Sequence, residues 1–237
     1  MLDVLMLIAA WVLGGRAVSK ANQEQRWLAV AGFLLIASVM TVLLFAGLGP
    51  PPHDAQQWLQ TAADQKIRYT LLVLDGLLVA AGLTVLRESL RQAGEQRYSA
   101  LGFAGIIIAT AFYVLDMTHF RAHEFVARVQ AASGSTPDWA VMQEQYFTFI
   151  GLVEVALTYL AVAAFAAALG KVAWMGRNAS RALVAFNLVA ASLVVVSPMF
   201  PSTAKLGLPV FVLAVPAVPF FMPYLIGVNL LRRAGDL

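Results

Sequence analysis

A chain of 237 residues that is 60% hydrophobic, only 12% charged and of mean hydropathy +0.77 lies far from soluble domains, which are roughly half apolar and a quarter charged. It reads as an all-α integral membrane protein, and the absence of cysteine excludes thiolate metal sites, disulfides and iron–sulfur clusters. The net charge of +3 does not signal nucleic acid, because the basic residues are dispersed over separate short loops instead of gathering on one face.

In chain order, residues 1–18 begin with an apolar run followed by Arg16 and Lys20. A cleavable signal peptide carries its positive charge first, so no cleavage is expected. The segment is read as a short seventh span, with a helix lying in the interface as the alternative. Six long spans follow at 28–49, 68–86, 99–123, 146–170, 182–200 and 206–231, each apolar over a length suited to a hydrocarbon core of about 30 Å. All are assigned to one transmembrane helical domain, 1–237.

Of the 16 Lys and Arg residues, 11 fall in the alternate segments that include the C-terminal Arg232 and Arg233, and 5 in the others. The positive-inside rule therefore places the C-terminus in the cytoplasm, and with seven spans the N-terminus outside. The layout resembles that of bacterial inner (plasma) membrane proteins, multi-pass and of small size. Trp58 and Trp139 are expected at the outer interface, Trp27 and Trp174 at the inner one.

Two outward loops carry helix signals. Asp54 with Gln57 three residues later is a capping-box pattern for a short helix near 55–63. In the longer loop, 124–145, the run Gly134-Ser135-Thr136-Pro137-Asp138 breaks the chain. Thr136 is the expected N-cap and Pro137 the first position of a short helix near 137–145.

Within the hydrocarbon zone stand three carboxylates, Asp75, Asp116 and Glu154, and no Lys or Arg. A lone charged carboxylate at the centre of a bilayer costs about 2.5–3.5 kcal/mol on insertion scales, so each acid must be neutral, paired or wetted, and each is a candidate catalytic group. Asp116, His119 and His123, at i, i+3 and i+7, lie within roughly 60° on one helical face. Depth at about 1.5 Å per residue puts all of these groups in the outer leaflet.

The candidate metal ligands are thus Asp116, His119 and His123, with Asp75 and Glu154 as further oxygen donors. Imidazole and carboxylate suit a divalent transition metal such as zinc, copper, iron or manganese. The alternatives are a proton-linked or purely polar network, and interfacial histidines without a role. Arg121 points away from this face, toward solvent or lipid phosphate. Pro209, Pro216, Pro219 and Pro223 share one stripe of the last span, which reads as fixed curvature or as a moving helix.

The chain has no Gly-x-Ser-x-Gly, no His-Glu-x-x-His and no phosphate-cradling loop, so no nucleotide is expected. The seven-span, N-out layout resembles that of microbial rhodopsins, but 206–231 contains no lysine to form a retinal Schiff base. Three functions stay open. One is a metal or proton site acting on a lipid-soluble substrate, another an accessory subunit bound to partner membrane subunits or to itself, and the last a small proton- or cation-linked transporter. Because the polar groups occupy only the outer half of the bilayer, a path through the membrane has least support.

Overall fold

A computed structural model describes residues 23–48, 52–196 and 217–236, with five isolated positions between 12 and 19. Among these residues the chain forms seven helices and no strand: α1 (Gln23–Gly47), α2 (Ala55–Gln60), α3 (Ala62–Gln92), α4 (Arg97–Ser133), α5 (Asp138–Lys171), α6 (Arg177–Val196) and α7 (Ala217–Asp236). Helices α3, α4, α5 and α6 are long and apolar enough to cross a membrane, and α1 contains a shorter apolar stretch, Gln25–Val39. The protein is a helical membrane protein. The expected span 206–231 overlaps α7 from Ala217 onward. Its first part, with Pro209 and Pro216, lies outside the described residues, as do 197–200 and most of 1–18.

Helices α3, α4, α5 and α6 are each packed on the next in sequence, as short connections favour. Helix α3 packs on α1 and α4, α5 packs on α4 and α6, and α7 lies against α1 with a lighter contact to α5. The core is built from Leu35, Leu83, Leu86, Tyr159, Phe165 and Ile226, all almost fully buried. At the α1–α7 crossing two glycines face each other. A Cβ on Gly32 would stand 2.9 Å from the carbonyl oxygen of Gly227, and one on Gly227 2.9 Å from that of Gly32. Only the absence of side chains lets the backbones come this close.

Local chemistry sets several helix ends. Asp54 caps α2, its Oδ1 accepting from the Gln57 N–H at 2.8 Å, while the Gln57 side chain accepts from the His53 N–H at 3.0 Å. Glu95 anchors the start of α4, accepting at Oε1 from the N–H groups of Arg97 and Tyr98 (both 3.0 Å) and at Oε2 from that of Ser99 (2.9 Å). Burial pushes this carboxyl up, but the Ser99 and Tyr98 N–H groups, the Ser99 hydroxyl and the Arg97 N–H outweigh it and hold it below the usual carboxylate range.

The outer hairpin differs from its sequence reading. Residues 124–133, expected in a loop, continue α4, and 137–145 joins 146–170 in the single helix α5. Glu124 supports the extension by pairing with Arg128 one turn on and with Lys66 of α3 at 2.7 Å. The break itself falls where expected, with Gly134 as a left-handed C-cap. The N-cap of α5 is Pro137, not Thr136, and no side chain caps it; Pro137 is extended (φ −68°, ψ 147°), and the acidic Asp138 in the first turn complements the helix dipole.

Candidate metal centre

His119 and His123 stand one turn apart on α4, and α5 brings Glu144 against both. Glu144 Oε2 lies 3.3 Å from His119 Nε2 and 3.1 Å from His123 Nε2. The three ligand atoms fall within 4.8 Å of one another, so this group can hold a metal ion. Ligands about 2.0–2.1 Å from a tetrahedral ion stand about 3.3 Å apart, close to the two nitrogen–oxygen separations found.

The imidazoles are held by aromatic rings and by their second nitrogens. Phe147 stacks on His119 with centroids 4.0 Å apart and planes at 3°, and Trp58 of α2 lies over His123 at 5.1 Å. His123 Nδ1 donates to the His119 carbonyl at 3.3 Å, and the Gln143 amide meets His119 Nδ1 at 3.2 Å. With its Nδ1 proton on a carbonyl, His123 aims its Nε2 lone pair at a carboxylate that only accepts. That contact balances only with a cation between them, either a proton or a metal.

Two cavities meet at this cluster. One, of about 350 Å³, is lined by His53, Trp58, His119, His123 and Glu144 among others. The second, of about 360 Å³, runs along the α4–α5 seam with Asp116, Phe120, Phe147, Leu152 and Glu154 in its wall. His119, Glu144 and Thr148 belong to both, so the cluster forms a shared partition.

The remaining acids are placed as follows. Asp116 is half-buried, with Oδ2 against Gly151 of α5, where a Cβ would meet it at 3.4 Å. Glu154 is buried and accepts from the Thr158 hydroxyl at 3.0 Å. Asp75 is fully buried on α3 and lines neither cavity, while the ring of Tyr113 rests on the neighbouring Gly76. Among the described residues, the clustered ligand group contains none of these three acids.

Glu144 escaped the sequence reading because it stood two residues before the expected span, in a stretch taken as a short loop helix. The usable signal was the hairpin itself. Once both helices run to the Gly134–Pro137 break, 144 lies on the antiparallel helix of the hairpin at nearly the height of 123.

Compared with known proteins, the chain matches no family model, no curated sequence and no solved structure.

Proposed function

We propose that this protein is a membrane metalloprotein in which His119, His123 and Glu144 hold a divalent transition metal at the outer leaflet and act on a lipid-soluble substrate. The observation that carries the reading is the convergence of two imidazole Nε2 atoms on one carboxylate oxygen, with both nitrogens of His123 facing acceptors. Two histidines and one glutamate leave a coordination position open, the pattern of catalytic rather than structural sites. A metal there supplies Lewis-acid polarisation of a substrate oxygen.

The chain's own residues supply the rest. The α4–α5 cavity offers apolar contact from Phe120, Phe147 and Leu152, and its two acids, Asp116 and Glu154, accept from or deprotonate a substrate hydroxyl or amine beside the centre. Asp75, off both cavities, contributes to the buried polar interior behind Tyr113. With a metal at the site, the Gln143 amide would present its oxygen to His119 Nδ1–H, and His119 would ligate through Nε2.

The test is elemental analysis of the purified protein after growth with zinc, iron, copper and manganese. About one metal ion per chain is expected in the wild type, falling at least ten-fold in Glu144→Gln and in His123→Ala. No metal under any of these conditions would overturn the reading. It would leave the His123–Glu144 contact as a proton site in place of a metal site.

A further inference from the structure

About 27 residues along α5 from Glu144, or about 40 Å at helical rise, lies a second and chemically opposite site. A cavity of about 450 Å³ is lined by Tyr98 of α4, Ala167, Gly170 and Lys171 of α5, and Ser180 with Arg177 and Arg181 of α6. Three cations thus converge on one concavity that no acid lines. Among the described residues, neither Arg177 nor Arg181 lies within ion-pair distance of a carboxylate, and Lys171 rests over the Tyr98 ring at 5.6 Å. Glu95, close by in sequence, has its carboxylate engaged by the first N–H groups of α4. The cavity also opens at the first turn of α6, whose unshared N–H groups add to the positive field.

The surface next to this cavity is apolar. Leu160, Ala164, Ala167 and Lys171 follow one another at i, i+4, i+7 and i+11 along α5, a single stripe that ends in the cavity. Helices α4 and α6 both pack on α5, and Leu160 of the stripe is exposed, as are Leu101 and Ile108 of α4 and Phe186 of α6. A positively charged pocket beside an apolar stripe about 10 Å long, on a helix long and apolar enough to cross a membrane, matches an acyl-bearing anion better than a soluble one.

We propose that this cavity binds the phosphate headgroup of an anionic phospholipid, with its acyl chains along the Leu160–Ala167 stripe. Lys171, Arg177 and Arg181 neutralise the phosphate, and Tyr98 closes one side. The site is independent of the metal reading and stands whether or not a metal binds at Glu144.

The experiment titrates detergent-purified protein with dioctanoyl phosphatidylglycerol, dioctanoyl phosphatidylcholine and inorganic phosphate, reading bound lipid by native mass spectrometry and thermal stability in parallel. Phosphatidylglycerol is expected to bind and raise Tm at concentrations where the other two do neither. In Arg177→Gln/Arg181→Gln its affinity should fall about thirty-fold, since each surface cation contributes roughly five-fold. Equal binding of the two lipids, or unchanged phosphatidylglycerol affinity in the double variant, would overturn the proposal. Phosphate binding as tight as phosphatidylglycerol would reassign the site to a soluble anion. Should the double variant not fold, Ala164→Trp keeps every cation and covers the apolar stripe with a bulky ring. Weakened phosphatidylglycerol binding then supports the lipid assignment, and unchanged binding refutes it.

Discussion

His123 is the residue whose surroundings are least neutral: its Nδ1 faces a carbonyl, its Nε2 a carboxylate, and Trp58 and Phe120 stack on its ring. Rings that cannot turn hold both nitrogens where they are, so a cation meets a prepared site. Gln143 contacts His119 at its other nitrogen, and its amide must turn for the His119 Nε2 to serve as ligand. Loss of an outer hydrogen-bond partner typically costs 10–100-fold in metal affinity. Gln143→Leu is therefore expected to weaken metal binding at least ten-fold in competition with a chromogenic chelator, while the helical circular dichroism stays unchanged. Because both imidazoles must be neutral to ligate, the affinity measured in the same assay should fall as pH is lowered through the histidine range. An affinity flat with pH would count against histidine ligation. Gly76 matters for a steric reason. A Cβ there would stand 2.5 Å from a ring carbon of Tyr113, which is itself buried and has little room to move. Gly76→Ala should cost about 1–3 kcal/mol, read as a lowered Tm in detergent, the usual penalty for overpacking.

At the scale of elements, the hairpin of α4 and α5 creates the site and Glu95 sets where α4 begins. A carboxylate held below its ordinary range stabilises the fold fully above the unfolded pKa, about 4.3 for glutamate, and that contribution is lost as pH falls through the lowered folded value. Glu95→Gln should therefore cost about 1 kcal/mol at neutral pH, in line with lost helix caps, and the wild type and variant should converge in stability under strongly acidic conditions. A gap in Tm that persists at acid pH would show that the side chain acts by packing instead. The helix interiors and the Asp54–Gln57 cap were legible because both depend on residues within one or two turns. The lengths of α4 and α5 were not. Beyond the hydrocarbon zone hydropathy no longer reports helix, and residues 124–133 persist as helix through the Glu124 pairs with Arg128 and with Lys66 of a different element. Thr136 is not the cap for a related reason: the Ala140 and Val141 N–H groups return to the Pro137 carbonyl, and Asp138 and Trp139 before them are exposed, so no side-chain acceptor is needed.

For the molecule as a whole, a close backbone approach joins the first and last helices of the described residues, α1 and α7, at Gly32 and Gly227. A side chain at either position meets a carbonyl oxygen, which cannot yield unless the helices separate. Gly32→Val is expected to lower stability by about 2–3 kcal/mol in thermal melts, and to leave metal content per folded chain unaltered because the centre lies on α4 and α5. Loss of metal together with loss of stability would mean that the crossing supports the centre through the bundle.

The sequence by itself determined that the chain is helical and membrane-embedded, roughly where the helices run, that acids stand among apolar residues, and that His119 and His123 share a face. These are sums over neighbouring residues, and helical periodicity carries them without reference to the rest of the chain. Only the tertiary structure decided that Glu144 stands against the histidine pair, and that Lys171, Arg177 and Arg181, which in sequence marked only topology, form one pocket. Both groupings depend on how one helix rotates and slides against another, and that is set by packing across the bundle, which no local pattern of residues encodes.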